Sequence, residues 1–283
     1  MRITPLRVGR IGYLNVWPLF DPLHADFPDS ETIRYDSGHP SALNAALREG
    51  GVDMAPASAF AYLENPLPFS LLPDLSICAA EGPIQSVLFI TPVPLEELGG
   101  ETRRIQLSKA SASSNALLKT LWRYAWKLPE PEWVMAEPGH GPASGLPFVE
   151  IGDLALRRYH NPPEGWHVVD MGQAWKAFTG LPFVFALWIV RRGLTGEPRR
   201  TLGRMARALR GYKADLSAIT ARLAASDERP DWISREAMAG YFDVVRYDLG
   251  PREQASLVLF ANYCREQGLI KAVPELSWFD VGN

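Results

Sequence analysis

Up to Gly193 the chain alternates short apolar runs with amphipathic stretches; beyond it only a helical rhythm persists. Leu6 to Tyr13 reads as the first strand, with Val8, Ile11 and Tyr13 apolar, and Asn15 and Pro18 end it. Ser41 to Glu49 carries an apolar stripe of Leu43, Ala46 and Leu47. It follows Pro40 and stops at Gly50-Gly51, as a helix does. Val52 to Ala55 is a short buried strand, and Ser58 stands where it caps a helix over Ala59 to Leu63. Strands then follow at Gln85–Thr91, Arg104–Leu107, Glu130–Val134, Phe148–Ile151, Val168–Met171 and Phe183–Val190. Between them the polar run Ser108–Asn115 opens a helix over Ala116–Trp126, Gly139–Gly145 is a flexible loop, Asp153 starts a helical turn through Leu156, and Gly172–Phe178 is a helix closed by Thr179-Gly180. Arg199–Ala225, Ser234–Tyr241 and Arg252–Glu266 are helical by period.

This order predicts an α/β protein. Two strands read as crossings: Ser86–Thr91 leaves a first lobe and Phe183–Val190 returns to it. The first lobe is then 1–91 plus 183–283 and the second 92–182, with the C-terminal helices packed on the first. A chain that crosses twice leaves a ligand cleft between its lobes, at strand ends and helix starts.

Composition narrows the function. With 283 residues, 47% of them hydrophobic, the chain can bury two cores and is not disordered. Its formal charge of −3 gives no basic field for nucleic acid or an anionic membrane. Arg204, Arg207 and Arg210 alternate with apolar positions and read as a solvated helix face. The longest apolar run, Leu181–Val190, is about half a bilayer span. Arg2, Arg7 and Arg10 interrupt the start where a secretion signal would lie, so a cytoplasmic protein is expected. Cys78 and Cys264, far apart and without a CxxC motif, are expected to be buried free thiols.

Familiar catalytic motifs are missing: GxSxG, Walker A, HExxH and GxGxxG do not occur, and the five histidines lack metal-ligand spacing. His39 and His140 read as loop residues. Asp36 and Asp153 precede helices and either cap them or face a ligand. Trp17, Trp175 and Trp188 either wall a pocket or fill the core. What remains is a set of small polar residues at strand ends and helix starts: Asn15, Ser37, Ser58, Ser86, Ser108, Ser111, Ser113 and Ser114. Unpaired N–H groups at helix starts, supplemented by hydroxyls, suit a small molecule with more than one carboxylate.

Five segments recur in a recognisable order: Arg10–Leu19 (RIGYLNVWPL), Gly82–Ser86 (GPIQS), Ile151–Leu156 (IGDLAL), Thr179–Trp188 (TGLPFVFALW) and Gly268–Pro274 (GLIKAVP). Together they resemble the menaquinone-biosynthesis family of the futalosine route, and its chorismate dehydratases in particular. The resemblance implies a fold like a type II periplasmic binding protein and the loss of water from chorismate to give 3-[(1-carboxyvinyl)oxy]benzoate. A sister lyase, acting on cyclic dehypoxanthine futalosine, opens on a Ser-x-Cys-Pro-Asn-Asp-like run; Tyr13–Pro18 here favours the dehydratases. On this reading Asn15 and Ser86 are the catalytic pair. Ser37, Ser58, Ser111, Ser113, Ser114, Gly152 and Asp153 bind the substrate. Lys109 stands in the serine run where family members often carry arginine, as a point charge without a bidentate fork. No metal, cofactor or obligate protein partner is expected, only a dicarboxylate guest. The rival readings are the sister lyase and a solute binder without catalysis.

Overall fold

A computed structural model describes residues 4–79, 81–98 and 104–282. The chain begins with β1 (Leu6–Ile11), a 3-10 turn at Leu14–Val16, α1 (Trp17–Asp26), β2 (Ile33–Gly38), α2 (Pro40–Glu49), β3 (Met54–Ser58), α3 (Ala59–Glu64) and β4 (Phe69–Ala79). It then builds β5 (Val87–Thr91), β6 (Arg104–Ser108), α4 (Ala112–Thr120, extended by a π turn at Leu121–Ala125), β7 (Glu132–Ala136), α5 (Gly141–Ser144), β8 (Phe148–Ile151), α6 (Gly152–His160), β9 (His167–Asp170) and α7 (Met171–Thr179). β10 (Phe183–Arg191), α8 (Gly196–Ala214), α9 (Leu216–Ala225), α10 (Arg235–Val244), β11 (Val245–Arg246) and α11 (Pro251–Glu266) complete it.

Two sheets form. The first runs β11-β4-β10-β3-β1-β2 and the second β7-β6-β8-β5-β9. Without the short edge strand β11 they share one plan. Three parallel strands in the order second-first-third are followed by one strand lying antiparallel to its neighbours, then a last strand. The antiparallel strand is in each case the one that follows a passage between the sheets. This duplication is invisible in the residues, because only the pattern of burial repeats: β3, β5 and β8 are wholly buried, and β10 is buried up to its last residue.

The passages differ from the sequence expectation. Val87–Thr91, expected in the first lobe, pairs with β8 and β9 in the second sheet, so the chain leaves the first sheet between Ala79 and Val87. β10 lies wholly in the first sheet, so the return falls at Gly180–Pro182. Asp170 caps α7 at the Gln173 N–H (3.0 Å) and also accepts from the Ile84 and Gln85 N–H groups at 3.1 and 2.6 Å. It thereby clamps the outgoing segment, where Gln85 holds φ at +63°. Burial pushes its carboxyl pKa up, and these N–H groups oppose the shift.

Other departures have local causes. Pro18 does not stop structure; it occupies the first turn of α1, where a missing N–H costs nothing. β2 has only Ile33 buried, and β4 contains Pro73 and Asp74 (φ +63°), so neither carries a plain strand signal. The helix expected over Arg199–Ala225 breaks at Asp215, four residues after Gly211. The loop at Gly139–Gly145 contains α5, whose Gly141 packs so closely against the Phe148 ring that a Cβ there would run into the ring carbons. Gly141→Ala is therefore expected to destabilise by about 1–3 kcal/mol through overpacking, read as a lowered denaturant midpoint with unchanged slope.

α8 packs on β1, β4 and α1, and α9 on α1; α11 packs on β10 and α3 but also reaches α4 beside the second sheet. The indole of Trp175 on α7 donates to Ser256 on α11 at 2.9 Å. Trp175 and Trp188 are buried in the core, with Trp17 packed at its edge, and none of the three is among the residues lining the cleft between the sheets. Both cysteines are free and buried, and burial pushes each thiol pKa up to about 12.

Candidate active site

Strand ends and helix starts converge where the sheets face each other. β1 runs into the turn at Leu14–Val16, β3 into α3, β6 into α4 and β8 into α6. Between them is a cleft lined by Tyr13, Asn15, Ser58, Ser86, Ser111, Ser114 and Gly152, with apolar walls from Ile11, Ile77, Val87, Ile151 and Phe185. Pro40, at the start of α2, completes the rim. Among the described residues, no Asp, Glu, Lys, Arg or His lines it. The starts of α2, α4 and α6 reach the lining at Pro40, Ser111 and Gly152, and each helix N-terminus carries roughly half a positive charge.

Ser86 is held from three sides. Its carbonyl accepts the Gly152 N–H at 2.8 Å, tying β5 to the start of α6. Its hydroxyl accepts from the Tyr241 hydroxyl at 2.9 Å and makes a long contact of 3.4 Å to the Ile84 carbonyl. Asn15 is fixed through its backbone, whose carbonyl accepts from the Tyr247 hydroxyl at 2.8 Å. Its side-chain Oδ1 is buried with no partner.

The serines divide into lining and support. Ser58 caps α3 at the Ala61 N–H (3.2 Å), and its Oγ meets Ser113 Oγ at 2.7 Å; its backbone N–H donates to Asn44 Oδ1. Ser113 Oγ also accepts the Phe60 N–H at 3.1 Å. Ser113 does not line the cleft: it stitches α4 to α3. Ser111 caps α4 at the Ser114 N–H (3.2 Å), and their hydroxyls meet at 2.8 Å. α4 thus begins four residues earlier than expected, because the cap is Ser111 and Ser113 and Ser114 are already helical.

Gly152 has φ +64°, and a Cβ on it would lie 2.7 Å from the Tyr13 ring, so the ring rests directly on the start of α6. The Tyr13 hydroxyl lies 3.4 Å from His39 Nδ1, and burial raises its pKa to about 12. Asp153 does not line the cleft and caps no helix. Its Oδ1 accepts the Leu14 N–H at 3.0 Å, joining α6 to the turn after β1. Burial raises its carboxyl pKa, and the Leu14 N–H opposes that shift.

Further candidates lie away from the cleft. Ser37 is exposed on β2 and not among the lining residues, since β2 is the edge strand of its sheet. Asp36 is likewise exposed, and His39 takes the cap position of α2. Lys109 points outward and pairs with Glu137 at 2.6 Å. His140 is exposed and turns to the Pro138 carbonyl.

Comparison with known proteins places this geometry. A family profile described as menaquinone biosynthesis matches residues 6–266. The chain belongs to this family. A chorismate dehydratase from Thermus thermophilus is 30% identical over 275 residues, covering 92% of this chain and 95% of that one. A solved structure from Archaeoglobus fulgidus superposes with a TM-score of 0.71 at 16% identity, over 94% of this chain and 98% of that one. The periplasmic aliphatic sulphonate binding protein of Escherichia coli does so with a TM-score of 0.57 at 13% identity, over 98% and 94%. These likenesses, with the shared strand order of the two sheets, show a two-lobed periplasmic-binding-protein fold of type II. In this family member the cleft also depends on Tyr13, Asn44, Tyr241 and Tyr247, which sequence reasoning did not select. Tyr13 stands inside the first of the five motifs; Tyr241 and Tyr247 lie far along the chain and carry no local signal.

Proposed function

We propose that this protein is a chorismate dehydratase of menaquinone biosynthesis, converting chorismate to 3-[(1-carboxyvinyl)oxy]benzoate and water. The observation that carries the reading is a cleft built of neutral hydroxyl and amide groups and ringed by helix N-termini. The Thermus relative of that name and the family match support it. Chorismate is a dianion, so its carboxylates need donors that do not have to be neutralised first. The starts of α4 and α6 provide such donors on one side of the cleft and the start of α2 on the other.

The reaction removes the C3 proton and the C4 hydroxyl, and the ring becomes aromatic. As the C3–H bond breaks, charge spreads through the ring to its carboxylate, where preorganised N–H and O–H groups stabilise it. The C4–O bond then breaks, and the hydroxide leaves as water by taking up the proton removed from C3. Ser86 hydrogen-bonds the departing oxygen, and the Asn15 amide holds the substrate's oxygens. Ser58, Ser111 and Ser114 hold carboxylates, while Gly152 lets the α6 backbone approach closely. With neutral groups lining the cleft, the proton acceptor that fits is the substrate's own enolpyruvyl carboxylate, folded over C3. The scheme calls for a small dicarboxylate and no cofactor, and we assign it to the cytoplasm. Among the described residues, no helix is long and apolar enough to cross a membrane.

The test is direct. Purified protein incubated with chorismate should change its ultraviolet spectrum as the ring aromatises and yield 3-[(1-carboxyvinyl)oxy]benzoate. A rise in melting temperature with chorismate but no product would make it a binder and end this reading.

A further inference from the structure

Tyr241 lies at 1% exposure on α10, in the C-terminal part of the chain, yet its hydroxyl donates at 2.9 Å to Ser86 Oγ at 2% exposure. The two residues are 155 positions apart. A serine hydroxyl has one hydrogen and two lone pairs. With one lone pair taken by the Tyr241 hydrogen, Ser86 keeps its own hydrogen free to donate. In the structure that hydrogen is spent on the Ile84 carbonyl at 3.4 Å, a long contact it can exchange for a better one. The Ile84 carbonyl belongs to the segment clamped by Asp170, and the Ser86 backbone is pinned by the Gly152 N–H, so the serine cannot drift from its donor.

Resting on the dehydratase reading, we propose that Tyr241 is a positioning residue for the elimination. It acts through Ser86 by fixing that hydroxyl as a donor toward the leaving oxygen. Hydrogen bonds in series polarise one another, so the Tyr241–Ser86–substrate chain strengthens as the C4 oxygen gains negative charge. Burial raises the Tyr241 pKa, so it keeps the hydrogen it must donate throughout the working pH range. The contribution appears in the transition state more than in the bound substrate and therefore in kcat.

Tyr241→Phe removes one oxygen from a buried ring and tests this. Expected is a fall in kcat of about tenfold or more, the rate equivalent of one neutral hydrogen bond, with KM within about twofold. Tyr62→Phe is the structural control. Tyr62 is another buried tyrosine, accepting the Ser277 N–H at 3.0 Å away from the cleft, so its loss should lower the melting temperature without lowering kcat. A double variant with Ser86→Ala, measured over long incubations, should be no slower than Ser86→Ala alone, because the two hydroxyls act as one unit. Wild-type kcat in Tyr241→Phe, or a full additional loss in the double variant, would overturn the proposal while leaving the dehydratase reading intact. No aromatic product from the wild-type protein would overturn both.

Discussion

Asn15→Ala should lower kcat/KM on chorismate by about 10²–10³-fold while the melting temperature stays level or rises. The magnitude is that of losing one preorganised donor at a developing anion. The stability expectation follows from the unliganded cleft, where Asn15 Oδ1 is buried without a partner. A buried unsatisfied atom costs about 1–3 kcal/mol, so deleting it removes a penalty instead of a bond. Ser86→Ala should lose activity to a similar degree but with a different thermal signature. It leaves the Tyr241 hydroxyl without its acceptor inside the core, and the melting temperature should drop by a few degrees. Steady-state kinetics beside a thermal scan of both variants checks the pair. Normal turnover by Asn15→Ala would rule out the assigned site.

The second large effect is expected at Gly152. Alanine there meets two obstacles: φ of +64° disfavours any side chain by about 1–2 kcal/mol, and its Cβ would enter the Tyr13 ring at 2.7 Å. The ring must move or α6 must retreat. Either shift spoils the Gly152 N–H bond to the Ser86 carbonyl and the Asp153 clamp on Leu14. A displacement of about 1 Å in such a site costs on the order of 10²-fold in rate. Kinetics should show lower kcat and raised KM together. Adding Tyr13→Ala should recover stability, since it removes the collision, but not full activity, since the cleft then lacks its Tyr13 wall. Unchanged kinetics in Gly152→Ala would mean that α6 need not approach so closely.

How much of this was written locally in the chain varies by element. β8 spans Phe148–Ile151 in both the reading and the structure, and β5, α7 and β10 shift by a residue or two. Each is a short apolar run or a capped helix with clear punctuation. β2 and β4 escaped because their burial is decided by partners far off in sequence. At the site, the lining residues Asn15, Ser58, Ser86, Ser111, Ser114 and Gly152 were legible because helix starts and strand ends have recognisable residues. Ser37 has the same local signature but sits on an edge strand, and only the sheet order reveals that. Ser113 and Asp153 were singled out as ligand contacts and instead hold the two halves together. The tyrosines that brace Ser86 and Asn15 arrive through tertiary packing, for which a residue's neighbours in sequence give no hint.

The exchanged strand in each sheet has a consequence for synthesis on the ribosome. β5 through β9 are consecutive, so the second sheet can assemble as soon as they have emerged. The first sheet cannot: β4 reaches β3 only through β10, which is made after the whole second half. The N-terminal strands must therefore wait, incompletely paired, while the inserted half forms ahead of them. The cleft is the last feature to exist, because its two walls mature in the reverse of the order in which they are translated.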